Sequence, residues 1–267
     1  MTDASPPAGE IRLELAPPLA WLIVDNPARR NAVSKAMWQA IPERLDEVAA
    51  NPEIRVLILR GAGEKTFVSG ADISEFETTR RDARTAADYE QRNASAFADL
   101  RNLAIPTIAM IRGFCLGGGM GLAAACDLRV AARGSVFGIP AARLGVGYPP
   151  DAYRDVVRLV GASAAKRLFF TADRIDAEAA LALGLIDLMI EEEDLETYTQ
   201  SLAATIADNA PLTIRAAKKA IDLITGDPAE ADWQALQEMT DRCFDSADFA
   251  EGRTAFLEKR RPKFVGK

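Results

Sequence analysis

Residues 107–126 read TIAMIRGFCLGGGMGLAAAC, and the order of chemistry within them decides the fold. Thr107 to Ile111 is a short continuous apolar run, the pattern of a buried strand. Gly113 to Gly121 follows as a glycine-rich turn. An alanine-rich helix then runs through Cys126, and Leu128 to Ala132 returns to strand. Strand, turn, helix and strand again is the rhythm of an α/β chain. Glycines permit a sharp turn and a close approach of ligand to backbone. The helix start adds unpaired N–H groups and the positive end of a dipole, which together favour an oxyanion or phosphate. Tight helix–sheet packing is the other reading of the same glycines. The run matches neither GxGxxG nor the P-loop, and no Lys-Ser or Lys-Thr follows it, so a nucleoside triphosphate is disfavoured.

The alternation extends outward. Ile11 to Leu15 alternates apolar and charged residues, Ala16-Pro17-Pro18 interrupts, and Leu19 to Val24 reads as the second strand of a hairpin. Asn26 to Asn31 is loop-like, and Ser34 is an N-cap for a helix over 35–50. Val56 to Leu59 is another buried strand, and Phe67 to Asp72 a strand ending in a turn at Gly70. Residues 81–103 read as a long polar-faced helix. Short strands and helices alternate to Ile190, and from Asp194 the signal is helical. The acidic run Glu191 to Asp194 marks the one composition shift. These readings predict a flexible Pro-rich leader over 1–10, a core over 11–195 and a helical region over 196–267.

Composition narrows the chemistry. The chain has 267 residues, 49% hydrophobic and 27% charged, enough for a sizeable core without disulfides or a structural metal. A net charge of −7 disfavours a general grip on nucleic acid. No apolar run reaches the roughly 20 residues that span a bilayer, and the polar N-terminus lacks a signal-peptide core, so a cytoplasmic protein with no membrane partner is expected. There is no histidine. That removes Ser-His and Cys-His nucleophiles and histidine-ligated metal, and no metal site is predicted. Acid–base work falls to carboxylates, Tyr, Lys, Cys or water. Cys115, Cys126 and Cys243 have no CxxC spacing and read as reduced, buried packing residues.

Gly117-Gly118-Gly119-Met120-Gly121 and Phe67-Val68-Ser69-Gly70-Ala71-Asp72-Ile73 together resemble the paired signatures of the crotonase superfamily, the enoyl-CoA hydratase/isomerase family. Other segments fall in the family's order. They are Asn26 to Ala32, Arg55 to Gly61, Cys126 to Ala131, Phe137 to Pro140, Ala179 to Asp187 and Phe256 to Arg260. The resemblance covers nearly the whole chain from about residue 11. It implies a spiral of stacked strand-strand-helix turns, then a helical C-terminal region that drives assembly into a homotrimer or a dimer of trimers. It implies that the N–H groups of Ala71 and Gly118 form an oxyanion hole for the carbonyl of an acyl-CoA thioester. It places CoA along Ala28, Arg29 and Arg30 and along Ala71, Asp72, Ile73 and Ser74, with Phe264 and Lys267 reaching an adjacent subunit's CoA. No separate cofactor is implied, since coenzyme A arrives as part of the substrate. Read alone, Asp72 is a turn or capping residue, and Arg29, Arg30 and Lys267 are surface charges.

The pattern breaks at the acid–base positions. Hydratases of this family use two glutamates, and the matching residues here are Gly121 and Ala141. Neither can activate water or deliver a proton. Two substitutes follow in the next loop, Tyr148 and Asp151. Tyr148 resembles a tyrosine of the family's methylmalonyl-CoA decarboxylase, and Asp151 lies near a position where some isomerases of the family carry a carboxylate. Their bland readings are a hydrogen-bonded structural tyrosine and a helix cap. Two small residues also leave room for a carboxylated substrate without like-charge repulsion. Three readings stay open: a hydratase-type enzyme, a CoA-thioester decarboxylase or isomerase using Tyr148 or Asp151, and a non-catalytic acyl-CoA-binding protein. A doubly wound nucleotide-binding fold is disfavoured by the missing phosphate fingerprints.

Overall fold

Each buried apolar run opens one strand-strand-helix turn of a spiral. The computed structural model describes residues 8–79, 81–148, 150–226 and 232–267. Residues 1–7 of the expected leader lie outside them. Its last residue, Glu10, already belongs to a strand. β1 (Glu10–Ala16) and β2 (Leu19–Asp25) form an antiparallel hairpin with Ile11 opposite Val24. α1 (Lys35–Ala50) follows, and its N-cap Ser34 accepts from the Met37 N–H at 3.3 Å.

Three turns then repeat. The first is β3 (Val56–Gly61), β4 (Thr66–Val68), α2 (Phe76–Thr79) and α3 (Ala83–Asn102). The second is β5 (Thr107–Ile111), β6 (Phe114–Leu116) and α4 (Gly118–Ala125). The third is β7 (Leu128–Ala132), β8 (Val136–Gly138), α5 (Ala141–Leu144) and α6 (Pro150–Thr171). β9 (Arg174–Asp176), α7 (Ala177–Ala182) and β10 (Leu188–Ile190) close the spiral. The first strand of each turn joins a six-stranded sheet, β1-β2-β3-β5-β7-β10, parallel beyond the hairpin. The second joins a four-stranded sheet, β4-β6-β8-β9. The glycine-rich turn differs from its sequence reading in one respect. Phe114 to Leu116 is a strand, and the helix already starts at Gly118.

The apolar runs are continuous because their sheet is covered on both faces. Alternate residues sort to opposite sides. Leu57, Leu59, Ala109, Ile111 and Ala131 enter the main core with α1, α3, α4 and α6. Val56, Ile58, Ile108, Met110 and Val130 pack with Leu195, Ala203 and Ala207 of α8 (Leu195–Ala207). α9 (Pro211–Thr225), α10 (Trp233–Phe244) and α11 (Ala247–Glu258) complete the chain. Two cations fasten this helical region to the spiral. Lys218 Nζ lies 2.8 Å from Asp127 Oδ2, and Arg55 donates to the carbonyls of Ala207 and Phe264 at 2.8 and 2.7 Å. No helix among the described residues is long and apolar enough to cross a membrane. Cys115 and Cys126 are buried as expected, and burial pushes the Cys126 thiol up to about 12, with Asp127 adding to the rise. Cys243 is only half-buried, because it lines a cavity between α9, α10 and α11 with Ala216, Leu236 and Phe249.

α3 is tied to α6 by one ion pair. Arg101 Nε and Nη2 donate to the two Asp155 oxygens at 2.9 and 2.6 Å, and Asp155 is 4% exposed. Arg101→Ala leaves that carboxylate buried without its counter-ion. It should lower stability by about 3 kcal/mol, read as a reduced urea midpoint at unchanged m.

Candidate active site

Two backbone N–H groups from successive turns of the spiral meet at one cleft. After β4, Gly70 takes a φ of 115°, open to glycine. Ala71 then forms a parallel bridge with Val33. The Val33 N–H donates to the Gly70 carbonyl at 2.9 Å, and the Asp72 N–H donates to the Val33 carbonyl at 3.0 Å. The bridge therefore uses the groups on either side of Ala71 and leaves its own N–H over. After β6, Gly117 turns with φ 50° and ψ −113°, and Gly118 becomes the first residue of α4. An N–H there has no intrahelical acceptor. Among the described residues neither N–H has a protein acceptor. The two loops nearly touch. A Cβ on Gly118 would lie 3.8 Å from the Ala71 nitrogen, and one on Gly70 would lie 3.8 Å from the Gly118 nitrogen.

An aromatic wall holds this turn from behind. Trp38 of α1 is fully buried, and its indole N–H donates to the Tyr89 hydroxyl at 2.8 Å. Its ring meets Phe97 of α3 edge-on at 5.5 Å. A Cβ on Gly118 would come within 2.8 Å of the Trp38 ring, and one on Gly121 within 2.4 Å of the Phe97 ring. The expectation of open room at Gly121 is thus corrected: Phe97 fills it.

The cleft is a narrow cavity of about 80 Å³ bordered by Ala71, Gly118, Ala141, Tyr148, Glu90 and Asn93. Tyr148 borders it, but its hydroxyl proton is engaged, donating to the Gly117 carbonyl at 2.9 Å. Burial pushes its pKa up, and the nearby Cys115 and Glu90 push it the same way, so the phenol stays protonated. Tyr148 thereby braces the turn that presents Gly118. Asp151 does not border the cleft. It lies half-exposed in the first turn of α6, 3.4 Å from Arg154, where a carboxylate complements the helix dipole. The carboxylate that does border the cleft is Glu90 of α3, absent from the residues the sequence singled out. Within a long polar-faced helix it had no local signal, because only tertiary packing says which face turns inward.

The loops expected to hold CoA converge on the outer rim. Asp72 caps the turn it starts, accepting from the Ser74 N–H at 3.0 Å and the Ser74 hydroxyl at 2.7 Å. Arg29 binds its other oxygen at 2.5 Å, joining the Pro27–Arg29 turn to the Ile73–Glu75 turn. Ala28 is exposed on the first of these turns, and Ile73 is 60% exposed at the cleft mouth. Arg30 follows the first turn, and its carbonyl accepts from the Ser69 N–H at 3.2 Å. It borders a separate cavity beside Lys65 and Phe114. Phe264 and Lys267 border no part of their own chain's cleft. Phe264 packs near Gly252 of α11, and the Lys267 carbonyl accepts from the Ala247 N–H at 2.7 Å.

The chain matches the family model described as enoyl-CoA hydratase/isomerase over residues 18–267. It is 34% identical to a crotonyl-CoA hydratase of Syntrophomonas wolfei, covering 96% of this chain and 98% of that one. It is also 34% identical to a methylmalonyl-CoA decarboxylase of Escherichia coli, covering 88% and 90%. The crystal structure of an enoyl-CoA hydratase/isomerase family protein from Hyphomonas neptunium superposes with a TM-score of 0.91 at 39% identity, covering 96% of this chain and 98% of that one.

Burial raises the Asp72 carboxyl pKa, but the Ser74 hydrogen bonds and the Arg29 guanidinium outweigh it and hold the group below its ordinary value. A folded-state pKa below the unfolded one stabilises above the unfolded value, and that stability is lost as pH falls through the folded value. Urea unfolding followed from pH 6 to roughly pH 3 should show a smaller acid-side loss in Asp72→Asn than in the parent.

Proposed function

Because this chain belongs to the enoyl-CoA hydratase/isomerase family, we propose that it binds an acyl-CoA with the thioester oxygen between the N–H groups of Ala71 and Gly118, and that its reaction passes through the thioester enolate. The observation that carries this reading is that both N–H groups border one cleft and neither has a protein acceptor among the described residues. A thioester carbonyl gains negative charge on oxygen as it becomes an enolate. Fixed donors aimed there stabilise that charge without reorganising, with about 3 kcal/mol lost per donor removed in other enzymes. The N-terminus of α4 adds its dipole at the same spot. The pantetheine leaves past Ile73 and the CoA follows the rim from Ala28 to Ser74. The exposed edge of Arg29 meets phosphate there, and Asp72 fixes its orientation. Phe264 and Lys267 of an adjacent subunit complete the CoA site in a homotrimer or dimer of trimers.

Decarboxylation is the second reading, supported by the Escherichia coli relative and by Tyr148 at the cleft. Its physical premise was an uncharged, roomy pocket. With Phe97 in the space at Gly121 and Glu90 bordering the cleft, a malonyl-type carboxylate meets like charge instead. Hydration or isomerisation of an uncharged acyl group fits the cleft better.

The test uses a cinnamoyl-CoA bearing a para-dimethylamino group. Polarisation of its carbonyl by the two N–H groups should shift its absorbance to the red on binding. Ala71→Pro removes one N–H that holds no hydrogen bond in the fold, so it should lose most of the shift and about 100-fold or more in kcat/KM on crotonyl-CoA. Binding without a shift would sink the oxyanion-hole reading. Release of CO₂ from methylmalonyl-CoA at a rate above crotonyl-CoA hydration would instead support the decarboxylase.

A further inference from the structure

Glu90 and Asn93 lie three residues apart on α3, so their side chains share one face of the helix, and both border the cleft that Ala71 and Gly118 border. Among the cleft's described lining residues Glu90 is the only carboxylate. Asn93 is 4% exposed. Its Nδ2 donates to Glu90 Oε2 at 3.2 Å. That bond fixes the orientation of the amide, because a carboxylate only accepts and must face the amide nitrogen. The Asn93 Oδ1 is therefore left pointing elsewhere, and it has no hydrogen-bond partner among the described residues. A buried acceptor without a donor is costly unless a bound molecule supplies the hydrogen.

Glu90 and Asn93 both border the cleft, and the buried Asn93 Oδ1 beside Glu90 is left short of one donor. A carbonyl or carboxylate of a substrate has no hydrogen to offer them. Water has two. It can donate one hydrogen to Glu90 and the other to Asn93 Oδ1, with its lone pairs left free for attack. Among the cleft's described lining residues no other carboxylate competes for this work, and the Ser69 hydroxyl donates to the Arg29 carbonyl at 3.4 Å. Gly121 is covered by Phe97, Ala141 ends in a methyl group, and the Tyr148 hydroxyl is committed to the Gly117 carbonyl.

We propose that Glu90 and Asn93 of α3 hold and activate the water that adds to an enoyl-CoA, in place of the carboxylates missing at positions 121 and 141. The proposal rests on the oxyanion-hole reading. Glu90 takes a proton from the water as its oxygen bonds to C3 of the enoyl group. The C2–C3 π pair moves onto C2 and the thioester oxygen, giving the enolate between Ala71 and Gly118. The carboxylic acid on Glu90 then delivers that proton to C2. One water has been added, the product is a 3-hydroxyacyl thioester, and Glu90 is again a carboxylate. One group serves as base and then as acid.

The experiment pairs crotonyl-CoA hydration with the red shift of the dimethylaminocinnamoyl probe, in the full chain. Glu90→Gln keeps shape and removes the base. It should lose about 100-fold or more in kcat while the red shift stays. Glu90→Ala should be equally slow, and added formate should restore part of its turnover, which no structural role for Glu90 explains. Hydration by Glu90→Gln at the parental rate overturns the proposal. So does a parent protein that gives the red shift but hydrates no crotonyl-CoA. A parent that binds the probe without the shift fails the oxyanion-hole reading itself, and that failure is visible before any variant is made.

Discussion

The close approach of two backbone turns, 69–72 and 116–119, is the constraint on which this molecule depends. It needs positions with no side chain, since a Cβ on Gly119 would stand 2.3 Å from the Val68 carbonyl oxygen and one on Gly118 would meet Trp38. It also needs a backbone that only glycine adopts readily, as at Gly117. The turns are held from outside by hydrogen bonds that spare the N–H groups of Ala71 and Gly118. Val33 takes the neighbours of Ala71, Gly138 accepts from the Gly117 N–H at 2.9 Å, and Tyr148 binds the Gly117 carbonyl. Rigidity of the surroundings and freedom of two donors are achieved by the same set of bonds.

The spiral explains why the two turns are adjacent. β4 and β6 are parallel neighbours in the four-stranded sheet, so the loops leaving their ends emerge side by side. Their partners β3 and β5 are neighbours in the larger sheet. The offset between turns of the spiral is the offset between two strands, about 4.8 Å. That is the spacing at which two donors can share one oxygen. α3 crosses the same end of the spiral, held by Arg101 to α6, and brings Glu90, Asn93 and Phe97 to the cleft together.

Charge within the cleft is the second determinant of chemistry. Among the described residues lining the cleft Glu90 is the one carboxylate, and it is the group that carries the proton in the reaction proposed above. The protonated phenol of Tyr148 adds no charge. The Asp72 carboxylate is kept ionised by Ser74 and Arg29 and belongs to the rim, where it orients a cation. Asp72 on the rim and Glu90 on the cleft wall stand on different elements, which keeps two carboxyl groups from sharing one site.

The sequence by itself determined the strand–helix alternation, the buried strands and the two glycine turns. Each of these is written locally: a continuous apolar run, a Ser34 cap, a glycine where no Cβ fits. It also excluded histidine chemistry outright, since composition needs no geometry. Only the tertiary structure decided what occupies the space at Gly121, because Phe97 is remote in sequence and arrives there by helix packing. Only it distinguished Tyr148, at the cleft, from Asp151, half-exposed beside Arg154. Glu90 lies among many polar residues on α3, and its place on the cleft wall is what singles it out. Local pattern fixes backbone turns, whereas the placement of a side chain in a cleft depends on which distant elements surround it.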